Sequence, residues 1–337
     1  MSYLKNQNKM PEFLCNYLKY KNFIAFCPTT TVETYYCNLK VFLKFIKLYF
    51  YDKEKLDYID KTTLKDVEIQ DITIDDMAKV TRNDIESYIY FLSNVLQNDS
   101  KTKNNKVSVL KKFFDYLANN NFIPSNPTTN IDYARVKKRL PKYLNLKESK
   151  QMLSHSIKSN DKYKIRNYAI ICLFLNCGMR LSELVNINIS DIKLDERTIK
   201  ITGKGNKQRI LYLNNASKEV INKYMRVRQK IGYDNADRDA LFLSSRNKRI
   251  SRRNVESIIT NKLTTLFAEK EGLHTHSLRH SCASMLYNEN NVDVFILKRI
   301  LGHESLSATE IYTHVDSKKM RYIMDNCTIS CLLEKWD

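Results

Sequence analysis

Six polar residues in the second half of the chain have the types that metal-free cleavage of a phosphodiester requires. In that reaction the non-bridging phosphate oxygens gain negative charge in the transition state, so fixed cations or donors must surround them. Arginine suits this role because its guanidinium fork matches two phosphate oxygens at once. A nucleophile must attack in line, and a general acid must protonate the leaving oxygen. The candidates, in chain order, are Arg180, Lys204, His276, Arg279, His303 and Tyr312.

Each candidate taken singly has an ordinary structural explanation. An arginine followed three residues later by Glu183 commonly forms a salt bridge at the surface. Lys204 lies in the turn GKGNKQR, which does not match the phosphate loop GxxxxGK[ST]. Tyr312 is one of 21 tyrosines, and nearly all of them must serve packing. The joint occurrence of six such residues, each at a turn or an element boundary in a basic chain, favours a catalytic interpretation.

Two histidines could instead hold a metal ion. His276 and His280 are four residues apart, a spacing that places both on one face of a helix. Ser277 stands where the HExxH pattern requires glutamate, and no carboxylate or cysteine stands out as a third ligand. We therefore predict no metal and no cofactor.

Composition and charge indicate a globular protein with a polyanionic partner. The 337 residues, 43% of them hydrophobic, suffice for about two domains. The net charge of +19 favours binding to nucleic acid, although a protein that is merely basic is the alternative. The N-terminus lacks the apolar core of a signal peptide, and the longest apolar run, Tyr168–Cys177, is too short for a membrane span. The eight cysteines form no CxxC pair, so we expect a cytoplasmic protein in a reducing compartment.

The N-terminal third has the periodicity of a helical bundle. Apolar residues recur at helical spacing in TVETYYCNLKVFLKFIKLYF and in NKVSVLKKFFDYLANN. We predict four or five helices up to about residue 120, two of them at Asp84–Leu96 and Asn105–Asn119. The expected helix caps are Thr31, Thr73, Asp75 and Thr81.

The remainder of the chain is predicted to be a linker followed by a second, mixed domain. Residues 122–143 contain three prolines and a run of basic residues, which is typical of an interdomain linker. One β-hairpin is predicted from Thr198–Thr202 and Arg209–Leu213. The predicted helices are Leu146–Ser156, Arg166–Cys177, a short helix through Leu184, Ser251–Glu269, Ser277–Tyr287, Val292–Leu301 and Ser307–Tyr312. The sequence thus predicts a mainly α protein with a small β-hairpin or sheet, divided into domains 1–121 and 144–337.

Four segments of the second half carry the six candidates in a characteristic order and spacing. They are GMRLSELVNINISDI, ITGKGNKQRILYL, HTHSLRHSCASMLYN and ILGHESLSATEIYTHV. These segments resemble the tyrosine recombinase (phage integrase) family, and its Xer-like branch in particular. The resemblance implies a SAM-like helical core-binding domain, followed by an α+β catalytic domain with a C-terminal exchange helix. It also implies a site-specific recombinase that cleaves and rejoins DNA without metal or ATP.

The resemblance also implies a role for each candidate. Arg180 and Arg279 would clamp the phosphate, with His303 as its third ligand. Lys204 would protonate the leaving 5′ oxygen, and His276 would take part in proton transfer. Tyr312 would form a 3′-phosphotyrosyl link to the DNA. Of the two supporting residues, Glu183 would orient Arg180, and His280 would have a structural role on the active-site helix.

The partners expected are double-stranded DNA with a specific site and further copies of this chain, with no membrane. The apolar tail beyond Tyr312 would dock on a neighbouring protomer in a tetramer on two DNA sites, or else pack on its own domain. The candidates for DNA contacts are Thr34, Lys40, Lys106, Lys111, Lys112, Lys207, Arg209, Arg252 and Arg253, although a solvated surface charge is the alternative for each.

Two other functions remain open at this point. A type IB topoisomerase or a telomere-resolving enzyme would use the same chemistry, whereas a non-catalytic DNA-binding accessory protein would not use Tyr312. The target sequence is not encoded in any pattern that we recognise, nor is the choice between chromosome-dimer resolution, plasmid maintenance and movement of a genetic element.

Overall fold

The chain divides into two compact units, Met1–Lys138 and Arg139–Asp337. A computed structural model describes residues 7–52, 54, 63–136, 141–203, 207–230, 237–288, 292–302, 322–324 and 326. Lys204, His303 and Tyr312 therefore lie outside the described residues, as do the predicted helix Ser307–Tyr312 and most of the C-terminal tail.

The first unit contains five α-helices in its described part. They are α1 Glu12–Lys19, α2 Thr29–Tyr51, α3 Ile74–Ala78, α4 Arg82–Asn94 and α5 Ser100–Asn119. The predicted caps Thr73 and Thr81 are confirmed, because each side chain accepts a hydrogen bond from the backbone of the residue three positions on. The predicted cap Thr31 is wrong: α2 begins directly after Pro28, whose ring fixes φ near the helical value. Asp75 lies inside α3 and caps nothing.

The core of the first unit is rich in aromatic side chains. The rings of Phe42, Tyr88 and Phe114 meet edge to face, with centroids 5.1 and 5.7 Å apart. Ile123 and Ile131, from the segment predicted as a linker, are buried in the same core. Asn104 donates to the carbonyl of Ala134 and accepts from its backbone N–H, which fastens this segment to α5.

The second unit is built around α7, Lys164–Cys177, which is buried along almost its whole length. The helices packed around it are α6 Leu146–Lys158, α9 Asn215–Gln229, α10 Arg252–Leu266 and α11 Thr275–Asn288. Two shorter helices, α8 Leu181–Val185 and α12 Val294–Leu301, also belong to this unit.

A three-stranded antiparallel sheet lies beside these helices, and the predicted fold class is confirmed. Its strands are β1 Ile192–Lys193, β2 Thr198–Thr202 and β3 Gln208–Tyr212, in the order β1-β2-β3. The β2–β3 register pairs Ile201 with Arg209. The sequence did not predict β1, which has only two residues, or α9. The signals for α9 were its cap Asn214 and the apolar residues Val220, Ile221 and Tyr224.

Two glycines end the helices that flank the candidate site. Gly178 ends α7 at φ 57°, and Gly302 ends α12 at φ 66°, both in the left-handed region that non-glycine residues rarely adopt. A Cβ atom at Gly178 would lie 2.5 Å from Leu301 Cδ2. The two helix ends are therefore close together, which the sequence could not show.

The short helical segment 322–324 packs against its own unit. Met324 is buried in the core of the second unit, and Ile323 is partly buried against that core. No helix in the described ranges combines the length and apolar character that crossing a membrane would need.

Candidate active site

The structure describes three of the six predicted catalytic residues: Arg180, His276 and Arg279. The two arginines converge on the C-terminal end of α12. Arg180 lies between α7 and α8, and Arg279 lies on α11. Both guanidinium groups bind the last backbone carbonyls of α12. Arg180 Nη2 donates to the carbonyl of Gly302 at 2.7 Å, and Arg279 Nη2 donates to that of Leu301 at 2.6 Å. Carbonyls at a helix C-terminus lack helical partners and carry partial negative charge, so they attract cations.

Arg279 is buried and ties together two helix ends. Its Nη1 donates to the carbonyl of Gly178 at the end of α7, while its Nη2 binds the end of α12. Burial, and then repulsion from Arg180, lowers the pKa of Arg279 to about 10. That value is well above neutral pH, so the guanidinium remains charged.

Glu183 is the carboxylate at the centre of the cluster. Its side chain is fully buried and accepts the backbone N–H of Arg180 at 2.8 Å and Arg180 Nη1 at 3.0 Å. Arg209 adds a forked pair, Nη1 to Oε1 at 2.5 Å and Nη2 to Oε2 at 3.2 Å. Burial alone would raise the pKa of Glu183, but the hydrogen bonds from Arg209 and Arg180 outweigh it and lower the pKa below its ordinary value.

Three guanidinium groups thus surround one buried carboxylate and the ends of two helices. The cluster keeps a net positive charge, and Arg180 is its most accessible member, with 32% of the side chain exposed. An arginine has five N–H donors, and Glu183 and Gly302 occupy two of those on Arg180. Such an arrangement can receive an anion with several oxygens, as a phosphodiester has.

His276 and His280 lie exposed on α11. Partial burial, and then the charges of neighbouring histidines and arginines, lowers the pKa of His276 below its ordinary value. His276 is therefore predominantly neutral at pH 7, a state in which one ring nitrogen can accept a proton. Among the residues that the structure describes, no three metal-binding side chains cluster as a metal site would require.

The predicted DNA contacts fall into two groups. Thr34, Lys112, Lys207, Arg252 and Arg253 are exposed, and Lys40 is partly exposed. Of the other three, Lys111 and Arg209 are engaged within the protein and Lys106 is partly buried. Lys111 donates to the carbonyl of Ile131 and lies over the Tyr133 ring. Burial lowers the pKa of Lys106, and Arg209 binds Glu183.

The contact of Arg209 with Glu183 was not predicted, although the sequence held a signal for the inward direction of its side chain. In β3, alternate residues point to the same face of the sheet. Arg209 therefore shares a face with Leu211, which is buried, whereas Ile210 is exposed. The strand pattern thus indicated that Arg209 points inward, even though its charge favoured solvent.

Comparison with known proteins identifies relatives of the chain as a whole. The phage integrase family model matches residues 142–319. The chain is 38% identical over 323 residues to the tyrosine recombinase XerC of Caldanaerobacter subterraneus subsp. tengcongensis, which covers 96% of this chain and 88% of that protein. It is 36% identical over 256 residues to the tyrosine recombinase XerC of Thermodesulfovibrio yellowstonii, covering 74% of this chain and 84% of that protein.

Solved structures show the same fold. The XerH site-specific recombinase bound to a palindromic difH substrate, in a post-cleavage complex, is 25% identical with a TM-score of 0.56, covering 72% of this chain and 71% of that one. A lambda integrase dimer bound to a COC′ core site is 15% identical with a TM-score of 0.62, covering 100% of this chain and 82% of that one.

Proposed function

The chain belongs to the phage integrase family of tyrosine recombinases, and we propose on that premise that Tyr312 attacks a DNA phosphate held by Arg180 and Arg279. Its activity is that of a site-specific recombinase, an enzyme that cleaves and rejoins DNA. The observation that carries the residue assignment is the convergence of both arginines on the last two carbonyls of α12, directly before His303.

The phosphate would lie where the outer donors of Arg180 face solvent, with Arg279 beneath and His303 as a third ligand. These groups favour the transition state because the non-bridging oxygens gain charge as the nucleophile approaches. Two cationic side chains near Tyr312 would also favour its phenolate, since free tyrosine has a pKa near 10 and is protonated at neutral pH.

Attack by the Tyr312 oxygen would form a 3′-phosphotyrosyl bond and break the bond to the 5′ oxygen. Lys204 would give that leaving oxygen its proton, and neutral His276 would assist proton transfer. The covalent link conserves the energy of the phosphodiester. A 5′ hydroxyl can therefore reverse the step without ATP, and we expect cleavage in the presence of EDTA.

The wider assignments extend the same proposal. Double-stranded DNA is the partner, and copies of this chain assemble on it, as a tetramer on two paired sites during strand exchange. The exposed candidates Lys112, Lys207, Arg252 and Arg253 contact the DNA backbone, and the enzyme works in the cytoplasm on the nucleoid. Because Met324 packs on its own unit, the part of the tail that docks on a neighbour begins after Asn326.

The test is capture of the covalent intermediate. Duplexes bound by the full chain are first selected from a random DNA library, and a nick is then placed beside the scissile phosphate. Wild-type protein should give an adduct that survives SDS, and Tyr312→Phe should give none. Tyr287→Phe, which changes an exposed tyrosine on α11, should behave as wild type. An adduct formed by Tyr312→Phe would refute the assignment of the nucleophile.

The same assay separates the alternatives. A non-catalytic accessory protein would give no adduct on any selected duplex. A type IB topoisomerase would relax supercoiled plasmids that lack the selected sequence, whereas we expect this chain to leave them supercoiled.

A further inference from the structure

Arg209 touches both the carboxylate that orients Arg180 and the glycine that Arg180 binds. Its fork is engaged by the two oxygens of Glu183. Its guanidinium also lies against Gly302, where an added Cβ atom would be 2.8 Å from Cζ and from Nη1. Only a residue without a side chain allows this approach.

These contacts leave Arg209 less accessible to a DNA phosphate than Arg180 is. Only 21% of its side chain is exposed, compared with 32% for Arg180. One edge of the planar group is occupied by Glu183 and one face by Gly302. A direct contact with DNA would require Arg209 to leave a buried carboxylate, which would then be left with fewer compensating partners.

Arg209 also links the hairpin to the cluster. It lies on β3, one residue beyond the pair formed by Thr202 and Gln208. At the base of the hairpin turn, Gly203 N–H donates to the carbonyl of Lys207 at 2.7 Å. The base of the hairpin, at Gly203 and Lys207, is thus linked through β3 and Arg209 to Glu183 and to the end of α12.

We propose that Arg209 is a positioning residue for strand cleavage. By holding Glu183 and Gly302 together, it sets Arg180 and the start of the segment that carries His303 in their working positions, without binding DNA itself. This inference rests on the proposed function, because it assigns a role within the same reaction.

The chemistry requires arginine at this position. A planar fork can bind both oxygens of Glu183 while its face rests on Gly302. The lysine ammonium group carries the same charge at one nitrogen, so it can contact either Glu183 or Gly302 but not both. The conservative change Arg209→Lys therefore removes the positioning and keeps the charge.

The first test separates the rate of the chemical step from affinity for DNA. Single-turnover formation of the covalent adduct is measured at saturating protein on the nicked duplex, alongside the dissociation constant at several salt concentrations. Arg209→Lys should lower the rate about 10- to 100-fold, the range for a misplaced catalytic group, with the affinity and its salt dependence unchanged. Arg197→Lys, a matched change of an arginine that binds Asn215, should leave both quantities unchanged.

A contact with DNA phosphate predicts the opposite pattern. Substituting such a residue without a positive charge, as in Arg209→Gln, would weaken binding and reduce the salt slope by about 1. If Arg209→Gln does this, the inference is overturned. It is also overturned if Arg209→Lys forms adduct at the wild-type rate.

The second test uses the close approach to Gly302. Gly302→Ala places a methyl group against the guanidinium of Arg209 and also imposes the backbone strain of the left-handed region. The strain is the same in any background, but the clash exists only when Arg209 is present. Gly302→Ala should therefore slow adduct formation strongly in the wild type and several-fold less in an Arg209→Ala background.

The outcomes distinguish this inference from the function on which it rests. If the wild-type chain forms no adduct on any selected duplex, the proposed function has failed. If the wild type forms adduct and the effects of Gly302→Ala and Arg209→Ala are independent, only the positioning role has failed. Binding of the selected duplex by each variant reports that it is folded.

Discussion

Replacing Glu183 with glutamine should destabilise the second unit at neutral pH. The substitution keeps the shape of the side chain and removes the negative charge that pairs with Arg180 and Arg209. Removing one partner of a buried ion pair costs about 3–5 kcal/mol, and the glutamine oxygen still accepts one hydrogen bond, so we expect about 3 kcal/mol. For a unit of about 200 residues this corresponds to about 6–12 °C in Tm.

The loss of stability caused by Glu183→Gln should become smaller at acidic pH. The pKa of Glu183 is lowered in the native state from its ordinary 4.5. The ionised Glu183 carboxylate therefore contributes its full share to the free energy of unfolding above pH 4.5. This contribution is lost as the pH falls through the lower pKa of the native state. The stability difference between wild type and Glu183→Gln should be constant near neutral pH and should narrow as the pH falls below 4.5.

The assay is urea unfolding read by hydrogen-exchange mass spectrometry on peptides of the second unit, because two units need not unfold in one transition. Glu256→Gln, which changes an exposed glutamate on α10, is the matched control and should change stability by less than about 0.5 kcal/mol. Equal stability of Glu183→Gln and wild type at pH 7 would refute the reasoning. A stability difference between the two proteins that is as large at pH 3 as at pH 7 would also refute it.

Three further predictions concern other parts of the chain. Gly178→Ala should cost about 2–4 kcal/mol, from left-handed strain and from contact with Leu301. In thermal unfolding, Gly203→Ala, whose Cβ atom would meet nothing closer than 3.6 Å, should match wild type. Arg252→Gln and Arg253→Gln should each reduce the salt slope of DNA binding by about 1, whereas Lys111→Gln, which breaks a bond to Ile131, should leave the slope unchanged. Truncation after Asn326 should abolish strand exchange and spare DNA binding, and full recombination by the truncated chain would contradict the docking of the tail.

The sequence predicted the helices where apolar periodicity and capping residues agreed. Thr73 and Thr81 are examples, since each pairs with an acidic residue three positions later. The structure begins α5 at Ser100, five residues before the predicted start at Asn105, because Asp99 supplies the cap. The strand β1 was missed because two residues carry no alternation to detect.

The candidate site was predicted by residue type but not by contact. The sequence predicted Arg180 and Arg279 as phosphate ligands, but it could not show that both bind the end of α12. Their partners there are backbone carbonyls, which lie 122 residues from Arg180 and 22 residues from Arg279. Arg209 and Lys111 were assigned to DNA because both are basic. Within the protein they bind Glu183 and the carbonyl of Ile131, which lie 26 and 20 residues away in the sequence, so no local pattern predicts these contacts.

The acceptors that hold the two arginines have a consequence for the tolerance of this site to mutation. The carbonyls of Gly178, Leu301 and Gly302 belong to the main chain, which every amino acid supplies. A substitution at Leu301 can alter packing but cannot delete an acceptor. Few positions therefore exist at which a single substitution can break this hydrogen-bonded frame of arginines, carboxylate and helix-end carbonyls. They are the arginines themselves, Glu183, and the two glycines whose conformation presents the carbonyls. Sequences can diverge widely around this frame while its geometry persists.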